Sequence, residues 1–496
     1  MTPNQITLAF VFGYMALCIA IGLWAWKRTT NTHDFFMASR NLGVVITGIA
    51  LFSSIMSGFG FVGGPGLVYR MGMSSFWILV TTPIGWAIAF FLVAKRIRIL
   101  AELRNAISLP DVAAARYSSE KVRGLVSLSI LCGVVAYLAT QIKAMAFVLQ
   151  EIFARNEMWG HDSMMFCVAI SSAVLVFYCV TGGIIASVYT DLFQGIIMML
   201  VAVLIFFTAI GEIDGGIGGM THLILADNAE SAGPWGTLGM IGCLSWLLIF
   251  TLGVVGQPHV VTKMMMSRRV EDARLTLPIT LGGYTLTALL WISIGLLMRA
   301  LVISGDHAEL TRADDAAAQF LQYYAHPVLA GLVFAGLFAA IMSTADGFLN
   351  IGAAALVHDL PKALGFSAPR NELFWARIAT VGLALLAAIF ALTSPSQLVG
   401  QLGAFGWGVF ASALVPVIGF GLNWRGATKK AAAAAIISSL LINGGFVVYQ
   451  LMGFRIAYGI AGGAIALLVS TTLFVGLSLF SKPDPLPRDI EEVMKL

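Results

Sequence analysis

The sequence predicts an all-α integral membrane protein of about 13 transmembrane helices, with its N-terminus outside and its C-terminus inside. Three observations carry that prediction. Of 496 residues, 59% are hydrophobic and 11% charged, whereas a soluble domain carries about a quarter charged residues. Apolar stretches recur from Ile6 to Phe480, each near the roughly 20 residues that cross a hydrocarbon core of about 30 Å. The cations also sort to alternate loops, as they do when each stretch spans.

Ile6 to Trp26 reads as the first span. No Lys/Arg region of a cleavable signal precedes it, and Lys27-Arg28 closes it. The second, over 43–69, is rich in hydroxyls, Gly and Pro, and the third, 74–95, stops at Lys95-Arg96. The fourth covers 123–154; the fifth and sixth, 162–180 and 188–212, flank Thr181-Gly182-Gly183. The seventh, 237–263, and the eighth, 275–299, lie either side of the basic group Lys263 to Arg274. The ninth, 327–357, carries hydroxyls and a carboxylate; 372–393, 396–422, 428–452 and 456–480 complete the count.

With this assignment, one set of loops holds 23 Lys and Arg, and the other holds 5, namely Arg70, Arg155, Arg299, Arg312 and Arg455. The positive-inside rule makes the rich side cytoplasmic, and the expected location is the plasma membrane, multi-pass, as in a bacterial inner membrane. The expected organisation is a first helix and loop over 1–42, spans two to six over 43–212, spans seven to eleven over 213–425, and two further helices with a short cytoplasmic tail over 426–496. The longest polar stretches, Arg96–Arg123, Gly211–Trp235 and Val302–Tyr324, leave no segment for a soluble catalytic domain.

The net charge of +4 forms no basic tract, so the footprint of a nucleic-acid binder is missing. Cys18, Cys132, Cys167, Cys179 and Cys243 are scattered singly without metal-ligand spacing. No Walker motif, HExxH or nucleophile elbow occurs. The chain does not read as an enzyme, and no obligatory protein partner is evident. Its expected partners are the lipid bilayer and a small solute.

Two spans are interrupted. The second reads Gly48 to Gly66 through Ser53-Ser54-Ile55-Met56-Ser57-Gly58 and Gly63-Gly64-Pro65-Gly66, and the seventh holds Gly253-Val254-Val255-Gly256-Gln257-Pro258-His259. They stand five spans apart and start on opposite sides, so spans 2–6 and 7–11 fit an inverted repeat. Paired discontinuous helices mark a transporter's binding site, although Gly and Pro also permit close helix packing. Carbonyls freed by unwinding, with hydroxyls opposite, suit a small cation that prefers oxygen ligands. Ser343-Thr344 in span nine offers such hydroxyls, which in membrane helices also bond their own i−4 carbonyl.

An ionisable residue inside a span is a functional candidate by default. Asp346 lies three residues past Ser343, on nearly the same helix face. Asp191 opens span six, where it can cap a helix, and the two carboxylates can share a second cation or exchange a proton if they meet. Lys143 stands about ten residues from either interface. It can pair with an acidic solute, pair with Asp346 or Asp191, or stand as a fixed charge in place of a second cation. His259 and Lys263 read as a polar cluster at the inner interface. Phe59, Trp246, Phe250, Phe405 and Trp407 can line a cavity or simply pack.

Together these residues resemble a family. Asp34-Phe35-Phe36-Met37-Ala38-Ser39-Arg40, Met56-Ser57-Gly58 with Gly63 to Gly66, Gly182-Gly183 with Tyr189-Thr190-Asp191, Gly256-Gln257-Pro258-His259 and Ala340 to Thr344 resemble, in this order, the sodium:solute symporter family. The likeness covers about residues 5–425 and is nearest the sodium/proline and pantothenate branches. It implies an inverted five-plus-five core of the leucine-transporter type, alternating access, and Na⁺ as coupling ion. Carried over by position, it implies a Na⁺ site at the carbonyls of Ser53, Met56 and Ala340 and the hydroxyls of Ser343 and Thr344. Asp191 matches an acidic position used for a further Na⁺, and Asp346 stands where those members have a hydroxyl.

Phe250 and Val254 occupy the aromatic positions of the proline site, Ile55 replaces an acidic residue of the proline transporters, and Lys143 replaces an apolar one. The expected solute site is Lys143, Gln141, Phe59, Gly60, Phe250, Val254 and Trp407. The function expected is sodium-coupled symport of a small carboxylate or amino acid. The alternatives are a proton-coupled carrier and a transporter-like sensory membrane module.

Overall fold

A computed structural model describes residues 3–27, 32–37, 42–154, 164–367, 369–393, 399–454 and 456–496. Arg28, Arg40, Arg155 and Arg455 of the charge sorting, and Ala38-Ser39 of the first motif, lie outside the described residues. The described residues are helical throughout their apolar stretches and form no strand, with one isolated bridge between Leu42 and Ser267. Eleven helical stretches are long and apolar enough to cross a bilayer, and two shorter apolar helices, Val44–Ile55 and Met164–Phe177, accompany them. Hydrocarbon demands this economy, because a helix satisfies its peptide groups within its own segment.

The principal helices are α1 (Pro3–Trp26), α2 (Val44–Ile55), α3 (Gly64–Met71), α4 (Phe76–Ala89), α5 (Leu109–Tyr117), α6 (Glu120–Ala154), α7 (Met164–Gly211), α8 (Gly239–Gly253), α9 (Pro258–Met265), α10 (Ala273–Ser304), α11 (Ala316–Tyr323), α12 (Pro327–Ala354), α13 (Glu372–Thr393), α14 (Val399–Leu414), α15 (Lys429–Leu451) and α16 (Gly462–Phe480). The centre is α12, buried almost without interruption from Val333 to Ala355 and packed on α7, α1 and α6. A run of small residues, Ala339-Ala340, Ser343-Thr344-Ala345 and Gly347, lets those neighbours approach closely. The outer surface is apolar instead: Leu200, Leu204 and Phe207 on α7, and Leu385, Leu386 and Ile389 on α13, are exposed. Such belts on a soluble protein would drive association. Here they face lipid, as befits a multi-pass membrane protein.

Both interrupted spans are broken. The helical path of α2 ends at Met56, whose ψ of 74° leaves the helical range, and a wide turn over Phe59–Gly63 leads into α3. In the other, α8 gives way to a tight turn at Val254–Gly256 and an extended Gln257 (ψ 109°), and Pro258 starts α9. Proline at the first helical position forfeits only a donor that would have been unsatisfied.

The fifth and sixth expected spans run together in α7 across Gly183. Its φ of 54° and ψ of −160° belong to a region essentially reserved for glycine, and a Cβ there would meet the Phe35 ring at 2.6 Å. Gly183→Ala is therefore expected to cost about 1–3 kcal/mol and to lower the thermal midpoint in detergent by several degrees. An unchanged midpoint would contradict this account of the kink.

Candidate functional site at the helix breaks

Leaving the helix after Ile55 strands peptide groups in the core, and neighbouring helices supply their partners. Gly58 N donates to Gln141 Oε1 of α6 at 2.8 Å, Phe59 N donates to Ser57 Oγ at 3.1 Å, and Ser54 O accepts from Thr344 Oγ1 of α12 at 2.9 Å. Ser57 N turns to Ile55 O at 2.8 Å, away from Ser53 O, the acceptor four residues back that a continuous helix would use. The Ser53 carbonyl thereby loses its helical donor at the break, and ψ at Met56 turns the carbonyl of that residue out of the helical direction.

The hydroxyls gather at the same place. Ser53 Oγ lies 3.0 Å from Ser343 Oγ, and Thr344 Oγ1 lies 3.2 Å from Ala340 O. All four residues are buried. A cluster of hydroxyl and carbonyl oxygens at an unwound helix is a chemically suitable shell for a small hard cation. Ser343 Oγ also donates to Asp191 Oδ1 of α7. The other carboxylate oxygen, Asp191 Oδ2, accepts from Lys263 Nζ at 2.6 Å, and this ammonium also bonds Ser54 Oγ and sits 3.3 Å from Ala50 O. Lys263 is 2% exposed. The interfacial reading of Lys263 is corrected: its side chain runs inward from α9 because only a buried carboxylate can balance a buried ammonium.

Asp346 is placed differently. Its Oδ1 accepts from Ser187 Oγ at 2.8 Å, whereas Asp191 is bonded by Lys263 and Ser343. His259, expected beside Lys263, packs its ring on Phe348 at 4.4 Å.

The aromatic groups form one stack around the breaks. Phe59 lies parallel to Phe250 at 6.1 Å, Phe250 tilts on Trp407 at 5.3 Å, and Trp291 of α10 meets Phe59 edge-on at 5.6 Å. Gly60 allows this approach, since a Cβ there would be 3.2 Å from the Trp291 ring. Val254 is buried beside the second break, where Gln257 Nε2 donates to Gly253 O at 3.1 Å and Trp407 O at 3.3 Å. Two donors beside the first break, Gln141 Nε2 and Trp291 Nε1, are buried with no acceptor among the described residues. Trp291 was missed from sequence because one indole in an otherwise ordinary apolar span gives no local signal.

Lys143 is buried on α6, within electrostatic reach of the loop before α11. Asp314, in the loop before α11, feels Lys143 and Arg312, and Arg312 lies over the Phe147 ring at 4.2 Å, one turn beyond Lys143. Asp314 Oδ2 accepts from Val399 N of α14 at 2.5 Å, and Gly66 passes so near that a Cβ would sit 2.8 Å from Oδ1. Lys143 and Arg312 thus act electrostatically on the same buried carboxyl, Asp314.

A family model for the sodium:solute symporter family matches residues 35–439. The chain belongs to that family. The sodium/proline symporter of Escherichia coli (strain K12) is 28% identical over 486 residues, covering 95% of this chain and 93% of that protein. The sodium/proline symporter 2 of Staphylococcus saprophyticus is 26% identical, with 88% and 85% covered. Among solved structures, a substrate-bound, outward-open Na⁺-coupled sialic acid symporter superposes with a TM-score of 0.76 at 19% identity, over 97% of this chain and 99% of that one. A nucleobase-cation-symport-1 family transporter in a closed conformation, with bromovinylhydantoin bound, gives 0.56 at 16% identity over 94% and 99%. The fold of this symporter family member is therefore that of the sodium symporters with a leucine-transporter-type core.

Burial pushes the Asp314 carboxyl up to about 7, against the pull of Val399 N, Arg312 and Lys143. A carboxyl raised in this way favours the fold fully below its ordinary value of 3.8, and the contribution is lost as pH rises through about 7. The thermal midpoint should fall between about pH 4 and pH 7 and level off above it, and Asp314→Asn should flatten that part of the profile. Parallel profiles for both proteins would contradict the assignment.

Proposed function

We propose that this symporter family member couples inward Na⁺ movement to uptake of a small organic solute bearing a carboxylate, by alternating access. The observation that carries the reading is the meeting of the first broken helix with the hydroxyl face of α12, where Ser53, Ser343 and Thr344 stand beside a released carbonyl. The Na⁺ ligands in this reading are the carbonyls of Ser53, Met56 and Ala340 and the hydroxyls of Ser343 and Thr344. One break lies in each of the inverted halves of this reading, 43–212 and 213–425, and the ion and solute bind where the halves meet.

The solute site in this reading is the aromatic stack one turn outward. A buried donor without an acceptor is costly, at about 1–3 kcal/mol, so Gln141 Nε2 and Trp291 Nε1 favour a ligand with acceptor oxygens. Phe59, Gly60, Phe250, Val254 and Trp407 give it apolar walls, and Lys143 above them draws a carboxylate inward while Asp314 partly balances its charge. The relatives named for proline and the neighbour named for sialic acid both have carboxylate-bearing solutes in their names, which agrees with this class without choosing within it.

Uptake into proteoliposomes is expected to require an inward Na⁺ gradient. Uptake that persists when choline replaces Na⁺, driven by a pH gradient instead, would favour proton coupling and sink this reading. Ser343→Ala with Thr344→Ala should raise the half-saturating Na⁺ concentration by about tenfold or more, the equivalent of about 1.4 kcal/mol. An unchanged value would remove those hydroxyls from the ion site. Lys143→Met should weaken competition by short carboxylates by a similar factor; unaltered competition would confine Lys143 to its pairing with Asp314.

A further inference from the structure

Lys263 Nζ is surrounded by a carboxylate oxygen of Asp191, the hydroxyl of Ser54 and the carbonyl of Ala50. That is an all-oxygen shell around a monovalent cation, assembled from α7, α2 and the chain's own ammonium on α9. Both charged residues are buried, at 0% and 2% exposure. The shell adjoins the hydroxyl cluster through one atom, because Ser343 Oγ bonds both Asp191 Oδ1 and Ser53 Oγ.

We propose that Lys263 is a tethered cation that occupies the Asp191 position and competes with Na⁺ for it. The inference rests on the sodium-coupled reading above and deepens it by restricting the closed protein to a single Na⁺, at Ser53, Ser343 and Thr344. Two monovalent cations cannot share Asp191 Oδ2 at contact distance without strong repulsion. An ionised carboxylate is an acceptor on both oxygens, so Asp191 fixes the Ser343 proton toward itself and leaves the Ser343 lone pairs for the ion.

The tether also links ion occupancy to the inner side of the fold. Lys263 belongs to the half-helix that follows the second break, so any displacement of α9 withdraws the ammonium from Asp191. The bared carboxylate then becomes the strongest cation site within one residue of the Na⁺ cluster, and Na⁺ has a step toward the cytoplasm. When α9 returns, the ammonium displaces the ion from Asp191. Lys263 is a positioning residue in this scheme: it never contacts the solute, and it acts by denying Asp191 to Na⁺ until α9 moves.

The test is the number of Na⁺ ions bound. Purified full-length protein in nanodiscs is titrated with ²²Na⁺ alone, and saturation is read per chain for the wild type, Lys263→Gln, Lys263→Arg, Asp191→Asn and the double variant Asp191→Asn with Lys263→Gln. One ion is expected for the wild type and Lys263→Arg, two for Lys263→Gln, and one again for the double variant, in which neutral faces neutral. Should Lys263→Gln fail to fold, the wild type and Asp191→Asn still decide. Two ions in the wild type falling to one in Asp191→Asn would make Asp191 a direct ligand and overturn the tether. One ion throughout, with Lys263→Gln folded, would also overturn it and leave the sodium reading intact. No saturable Na⁺ binding in the wild type would overturn both.

Discussion

A peptide group without a hydrogen-bond partner in hydrocarbon costs several kcal/mol, and the break after Ile55 creates several such groups within a few residues. Most of the site's placement can be understood as a response to that cost. Gln141 is drawn to Gly58 N, Thr344 to Ser54 O, and Ser57 folds its own hydroxyl back to Phe59 N. These bonds hold α6 and α12 against the broken segment at a fixed height. The Ser53 carbonyl loses its usual helical donor, Ser57 N, and the Ser53 hydroxyl meets that of Ser343. A continuous helix would need none of these contacts and would offer no oxygen to an ion.

Once the break is pinned, burial of charge becomes the second constraint. Removing one partner of a buried ion pair typically costs about 3–5 kcal/mol because the other charge is left uncompensated. Asp191 and Lys263 therefore act as a unit joining α7 to α9, with Ser54 and Ser343 filling the remaining lone pairs and protons. Asp346 meets the same constraint with a hydroxyl partner, Ser187. The aromatic stack needs no charge: Phe59, Phe250 and Trp407 lean on one another across both breaks.

Hydropathy made the membrane class and the run of helices readable, because lipid imposes a length and a composition on each span separately. The breaks were readable for the same reason, since Gly63 to Gly66 and Gly256-Gln257-Pro258 are local signals. Candidate oxygens followed from residue type. What could not be read was pairing over long separations. Lys263 looked interfacial because its Cα lies near the end of a span, and only the packing of α2, α7 and α9 shows the side chain turned inward by 72 positions of sequence to Asp191. Lys143 looked central by counting residues, yet the loop before α11 folds down onto α6 and brings Asp314 to it. Trp291 carried no periodic or motif signal at all.

The positions of the two lysines bear on how such a protein separates outside from inside. Lys143 lies within electrostatic reach of Asp314 in the loop before α11, and Lys263 is paired with Asp191 from the half-helix after the second break. Each is a buried cation whose counter-charge sits on an element separated from its own by a break or a loop. Such a pair favours closure on its own side, because parting it leaves one charge uncompensated in a low dielectric. A ligand of matching charge can take over the vacated partner: a carboxylate opposite Lys143, or a monovalent cation opposite Asp191. In the proposed reading the same electrostatic rule acts at both pairs, admitting an anion opposite Lys143 and a cation opposite Asp191, with the hydroxyl cluster at Ser343 joined to Asp191.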